Sequence, residues 1–460
     1  MEKEDGCWRA HVLCISFPAQ GHINPMLNFS KRLISKGVKV TLATPLSVIK
    51  SIEADGSKIS IEPFSDGSDA GFMRAGNIDS FVEGFNTVGL KNLSEIIETH
   101  QNSKYPFKCL IYNSLFPLVL DLARQFGILG AAFCTQMCAV HAIHYHVHQG
   151  HLSYPVQESI VWMPGLPLLG KHDLPTSLTN RKEPDGESYL RFVLNQFLNV
   201  EEADWLLFNT FDKLEDEVLH WMGKQFPGKV IGIGPTLPSI CINNGVQDTN
   251  NNGYNASKPD SSPFIEWLNT KERGSVVYIS FGSVFGIGEE QMQELAWGIK
   301  SSNKYFIWVI RAAEEHKLPS KLKEEISDKG MIVPWCPQLE VLAHKAVGCF
   351  ITHCGWNSTI EALSLGVPMV GIPQIIDQTT NSKFIEDVWK VGVRAKVDDE
   401  NNIAKREEIK NRINDVMYGE SGDKIKRNAA KWKELAKEGF SDGGSSDRNI
   451  EKFIAKLDNK

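Results

Sequence analysis

The residues of this chain that could do chemistry concentrate in the stretch 335–378, WCPQLEVLAHKAVGCFITHCGWNSTIEALSLGVPMVGIPQIIDQ. Trp335 follows a strand-like run, and a Trp at a strand end can offer its ring face to a planar base. The competing reading is a core Trp. His353, Cys354, Gly355, Trp356, Asn357 and Ser358 follow a second such run and open a helix. Free N–H groups and partial positive charge at a helix N-terminus suit phosphate. Gly355 lets the backbone approach closely, and His353 and Ser358 can donate further hydrogen bonds. The alternative is a plain N-cap beside a satisfied His. Asp377 and Gln378 close the stretch, again after a strand. An ionised Asp only accepts hydrogen bonds, whereas a Gln amide accepts and donates. Sugar hydroxyls need that mixture; an N-cap Asp is the alternative. Taken in order, the loops describe a base platform, a phosphate cradle and a hydroxyl binder, which together make a nucleotide-sugar pocket. A Walker A motif is absent, and Gly282, Gly286 and Gly288 do not form GxGxxG, which counts against kinases and dehydrogenases.

The elements that must position these loops read as α/β throughout. Residues 11–17 form a strand-like run, followed by a turn with His22, a helix from Pro25 over 26–33, a stop at Gly37 and a second strand over 38–44. This β-α-β opening predicts a parallel sheet. Residues 109–112 and 130–133 read as later strands of it. The stretch 242–262 is rich in Asn, Gly, Ser, Asp and Pro, which is a linker composition. A second β-α series follows, with strands at 275–280, 306–310, 331–333, 348–352 and 368–372. The expected division is a first domain over 1–241, a linker over 242–262, a second domain over 263–445 and a C-terminal helix over 446–460. Two such sheets enclose a cleft, and ligands bind outside the carboxyl ends of their strands.

Composition narrows the class further. The 460 residues carry 49 basic and 56 acidic side chains, a net charge of −7, which argues against a nucleic-acid groove or an anionic-membrane coat. Nine cysteines, an odd number with no Cys-x-x-Cys pair, suggest neither a disulfide framework nor a zinc ribbon. Reduced thiols in a cytoplasmic chain are expected. No targeting segment is read: the run 12–17 is short and follows Glu2, Glu4 and Asp5. The uncharged stretch 125–157 carries five histidines and four glutamines, so no membrane span is expected there.

With these residues in place, 335–378 resembles the 44-residue signature box of the plant UDP-glycosyltransferases. The similarity extends over nearly the whole chain, through Gly21-His22-Ile23-Asn24-Pro25, YISFGS over 278–283 and GGSSD over 443–447. Within the family the chain most resembles the group with salicylate and steviol glucosyltransferases. The resemblance implies a GT-B fold of two Rossmann-like domains, with acceptor bound mainly by the first and UDP-sugar by the second. It implies that Trp335 stacks on uracil and the Cys336 backbone bonds its edge. Gln338 and Glu361 would hold the ribose. Ser283, His353, Asn357 and Ser358 would hold the diphosphate. Trp356, Asp377 and Gln378 would meet the sugar, and a terminal Gln leans towards glucose. It further implies an inverting, metal-independent enzyme with UDP-glucose as donor, a small apolar acceptor, no cofactor and no nucleic-acid partner; a monomer is expected.

The resemblance also makes His22 the general base, a role suited to an imidazole. The family supports this His with an Asp in a Tyr-Asp-Ser context, but here the position reads Tyr112-Asn113-Ser114. An Asn can orient the ring but offers no charge. In a serine-protease triad the same exchange costs about 10⁴ in turnover through the wrong tautomer. Three readings follow: acceptors that ionise easily, such as carboxylates or phenols; a different supporting acid; or an engineered or natural low-activity form, a UDP-sugar-binding protein with little or no transfer. His141, His144, His146, His148 and His151 are expected to line the acceptor pocket. A zinc site on His141, His144 and His148 is the lesser alternative.

Overall fold

The computed structural model describes residues 7–49, 52, 59–69, 71–72, 77–179, 186–243, 262–283, 286–326, 329–398 and 401–458. The linker stretch expected at 242–262 falls mostly outside them.

The first apolar run forms β1 (Ala10–Ile15), buried at every position, as a strand covered on both faces of a parallel sheet must be. It is followed by α1 (Gln20–Ser35), β2 (Val38–Pro45), β3 (Ser60–Phe64), β4 (Cys109–Asn113), β5 (Leu129–Cys134), β6 (Trp205–Phe208) and β7 (Val230–Gly232). They pair in the order β3-β2-β1-β4-β5-β6-β7, all parallel. The second sheet contains β8 (Val276–Ser280), β9 (Tyr305–Val309), β10 (Gly330–Val333), β11 (Val347–Thr352), β12 (Met369–Gly371) and β13 (Gly392–Arg394). Its order is β10-β9-β8-β11-β12-β13, again all parallel. Strand order reverses between β1 and β4 and between β8 and β11, where an open parallel sheet leaves a crevice for ligand.

One expectation is corrected. Pro25 does not open α1; the helix begins at Gln20 and Pro25 lies inside it. Proline removes one N–H and crowds the carbonyl four residues back, here that of Gly21. The earlier start places His22 in the first turn of α1 rather than in a free turn.

The domains meet along a polar seam. Trp356 Nε1 donates to Asn209 O at 2.9 Å, and Trp389 Nε1 to Leu214 O at 3.1 Å. Thr379 and Thr380 hydroxyls donate to Leu174 O and Asp173 O at 2.6 and 2.7 Å, and Arg394 pairs with Asp173 at 2.9 Å. The chain then returns. The C-terminal helix, Ser445–Asp458, buries Ile450, Phe453, Ile454 and Leu457 in the same core as Val12, Phe29 and Phe133 of the first sheet. Lys36 pairs with Asp447 at 2.6 Å and Arg9 with Glu451 at 3.0 Å. Among the described residues no helix is long and apolar enough to cross a membrane.

Candidate active site

Strand register brings three side chains to one level at the first switch point. Ile15 lies opposite Tyr112, and Asn113 opposite Phe133, so the residues just past β1, β4 and β5 share a layer. There His22 Nδ1 lies 2.9 Å from Asn113 Nδ2 and 2.7 Å from Thr135 Oγ1. Asn113 is fully buried, and its Oδ1 accepts from Leu115 N–H at 3.2 Å. Burial lowers the His22 pKa to about 4, so the ring is neutral at neutral pH. Phe17 stands with its ring centroid 5.0 Å from that of His22 and packs in turn against Phe72, Phe81, Phe116 and Phe192. The base candidate therefore stands against an aromatic wall.

The second sheet presents its own layer opposite. Ser280 pairs with Thr352 and Thr352 with Gly371, which levels the loops holding Gly282, His353 and Pro373. The ring of His353 fits between two glycines: a Cβ on Gly282 would lie 2.9 Å from its Nε2, and one on Gly355 would overlap it. Burial lowers the His353 pKa to about 4, so it offers an anion a neutral N–H rather than a charge. Helix α3 (Trp356–Leu365), which follows α1 (Gln20–Ser35) and α2 (Cys138–His148) along the chain, starts at this point. Its Gly355 N-cap carries no capping side chain, which leaves first-turn N–H groups for a ligand. Ser283, next in the chain to Gly282, is exposed, its carbonyl held by Arg311 Nη1 at 2.7 Å.

The remaining box residues fall into two groups. Trp335 is half-buried at the end of β10. Gln338 Nε2 donates to Glu361 Oε2 at 2.6 Å and to Ser358 Oγ at 3.1 Å, while Tyr278 donates to Gln338 Oε1 at 3.1 Å. Cys336 is buried beside that phenol with its thiol pushed up to about 11, so only its backbone is free to bond a base edge. On the other side Asp377 caps no helix N–H; its Oδ2 accepts from Asn381 Nδ2 at 2.8 Å. Burial raises its pKa to about 6. Gln378 Oε1 accepts from the N–H groups of Gln374 and Ile375 at 2.8 and 3.1 Å, which leaves its Nε2 as the donor end.

The two layers touch. Asn357 Nδ2 donates to Gly21 O at 2.7 Å, the carbonyl that Pro25 leaves without its helical partner. The first turn of α3 is thus bonded to the residue next to His22.

Sequence comparison identifies the architecture. The profile of UDP-glucoronosyl and UDP-glucosyl transferases matches residues 236–435. The chain is 44% identical to mogroside I-E synthase of Siraitia grosvenorii, over 99% of both chains. It is likewise 44% identical to flavonol 7-O-beta-glucosyltransferase UGT74F1 of Arabidopsis thaliana, over 98% of both. The chain belongs to the UDP-glycosyltransferases. The crystal structure of Os79 from O. sativa in complex with UDP superposes with a TM-score of 0.88 at 36% identity, covering 97% of this chain and 100% of that one. This UDP-glycosyltransferase accordingly has the GT-B fold.

In this glycosyltransferase the Trp356 indole, expected to meet the sugar, is turned into the domain seam and buried, with its Nε1 on Asn209 O. The histidine-rich helix α2 is also more core than pocket. His141 packs on Phe197 and Phe208, and His146 stacks on Trp221. Burial keeps His141 and His144 neutral, with pKa values lowered to about 3 and about 4. Among the described residues no group of three His, Cys, Asp or Glu is placed to hold a metal. Thr135 was not singled out in the sequence, and Gly21 and Tyr278 were quoted there only within motifs, with no role of their own. Thr135 does follow a strand of the first sheet, the one signal that would have marked it.

Proposed function

We propose that this glycosyltransferase transfers glucose from UDP-glucose, with inversion and without a metal, to an oxygen of a small apolar acceptor in the cytoplasm. His22 is the base. Its Nε2 takes the proton as the acceptor oxygen attacks the anomeric carbon. The bond from that carbon to the β-phosphate oxygen breaks, its electron pair leaves with UDP, and the imidazolium later returns its proton to solvent. First-turn amides of α3, His353 and the second N–H of Asn357 Nδ2 receive the developing charge on the diphosphate. Trp335 carries uracil, Gln338 and Glu361 the ribose, and Asp377 and Gln378 the glucose hydroxyls.

The observation that carries this reading is the 2.7 Å bond from Asn357 to Gly21 O, which sets base and donor cradle one residue apart. The aromatic wall around Phe17 supports an apolar acceptor. The nine free cysteines support a reducing compartment. Incubation with UDP-glucose and a panel of phenolic, carboxylic and alcoholic acceptors tests it. New glucosides are expected, and His22→Ala should abolish them while UDP still binds. The Asn113 amide nitrogen facing His22 Nδ1 favours a second reading, a UDP-sugar-binding protein with little transfer. Binding without turnover across the panel would support that instead.

A further inference from the structure

We propose that Thr135, rather than Asn113, holds the proton on His22 Nδ1 and so leaves Nε2 free to act as the base. The proposal rests on His22 being that base.

Asn113 has one acceptor oxygen for two neighbours that need one. Its Oδ1 is taken by Leu115 N–H at 3.2 Å, which turns Nδ2 towards His22 Nδ1 at 2.9 Å. An amide nitrogen only donates. If His22 satisfies that donor, Nδ1 carries a lone pair and the ring proton sits on Nε2, where the acceptor hydroxyl must deliver its own. The ring is then a hydrogen-bond donor to the cleft and not a base. Rotating the amide by half a turn does not help, because Nδ2 would then face Leu115 N–H, donor against donor.

Thr135 Oγ1 is the one oxygen, among the described residues, within hydrogen-bonding distance of Nδ1, at 2.7 Å. A hydroxyl accepts as well as donates, so it can receive Nδ1–H. The side chain is well placed for this work. Thr135 is 8% exposed, follows the last residue of β5, and is β-branched, so its χ1 is stiff. Asn113 and Thr135 therefore compete for one nitrogen: the amide fits only a ring protonated at Nε2, whereas the hydroxyl can also accept from a ring protonated at Nδ1. Thr135 is a positioning residue acting through His22. A carboxylate at 113 would supply acceptors to both Leu115 and His22 and make the hydroxyl redundant.

That redundancy makes the idea testable. Turnover of an aliphatic alcohol acceptor is measured for the native chain, T135V, T135S, N113D and N113D/T135V. T135V is expected to lose about 10²-fold in kcat, the ordinary worth of a general base, with KM for UDP-glucose unchanged, and T135S to keep most of the activity. In the N113D background the same T135V change is expected to cost less than about threefold. Equal losses in both backgrounds would mean a structural role, and no loss in the native background would mean no role; either overturns the proposal. Should T135V not fold, the ring ¹⁵N shifts of His22 decide. A population protonated at Nδ1 in the native chain supports the proposal, and a ring wholly protonated at Nε2 refutes it. If His22→Ala retains transfer, the base reading itself has failed, an outcome distinct from all of these.

Discussion

At the scale of single residues, the chemistry turns on which atom of Asn113 meets His22. Asn113→Asp is expected to raise kcat by roughly 10²-fold on an aliphatic alcohol and by much less on a carboxylate, which needs no deprotonation. Rates on both acceptors in both forms check this; an equal fall on both would refute it. The pH profile should move as well. In the native chain burial holds His22 at about 4, so it is unprotonated over the neutral range, and kcat/KM should fall only as pH drops through that value. A carboxylate at 113 favours the imidazolium, so the acid limb should shift to higher pH. Trp335→Ala should weaken UDP binding by roughly 10- to 100-fold, the usual cost of losing a base-stacking ring, as read by calorimetry. Most of the candidate donor residues could be named from the sequence because they lie in one contiguous run of strand-end loops. That Asn113 departs from an Asp was legible too. Its orientation was not, because it depends on Leu115 N–H and on Thr135, which lies 113 residues from His22 in the chain.

At the scale of elements, two helix starts carry consequences. In α1, Pro25 cannot donate to Gly21 O, and Asn357 does so from the other domain. Pro25→Ala supplies a competing N–H within the helix. The loss of that one bond, about 1 kcal/mol, is expected to cut turnover by roughly fivefold while the affinity for UDP, measured by calorimetry, stays nearly constant. Reading Pro25 as the first residue of α1 hid this, since the helix propensity of proline describes its own missing N–H and not the carbonyl it strands. Helix α2 starts on a buried carboxyl: Glu215 accepts from Cys138 N–H at 3.2 Å and Ala139 N–H at 2.8 Å. Burial raises its pKa to about 7 from an ordinary 4.5. A carboxyl raised in the folded state contributes stability that is full below about 4.5 and lost as pH rises through about 7. Glu215→Gln keeps the acceptor and does not ionise. Its urea midpoint should therefore decline less between about pH 5 and about pH 8 than that of the native chain.

At the scale of the whole molecule, the two sheets were legible from their apolar runs and the change of composition after residue 241. Four strands were not: β3, β6, β7 and β13 are short, or have no clear alternation, and are fixed by neighbours that precede them by tens of residues. The seam was not legible either, since Trp356 and Trp389 bond to backbone carbonyls, which carry no sequence mark. A C-terminal helix was expected over 446–460, but nothing in its residues marks where it packs; its apolar side fills the first sheet's core. Phe453→Ala should cost about 3–5 kcal/mol, read by urea unfolding, and should loosen the first domain while leaving UDP affinity, read by calorimetry, nearly unchanged. This return also bears on how the chain is made. The first sheet has all its strands by Gly232, but Ile450 and Phe453, which cover one face of it, come more than two hundred residues later. At about 5–20 residues per second, a ribosome takes roughly ten to forty seconds over that interval. Throughout it, Trp205 lacks the ring of Phe453 that meets it at 4.9 Å, whereas Phe133 already has Phe29 of α1 stacked on it at 5.6 Å, so the Trp205 side of this face is the part a chaperone would meet on the nascent chain.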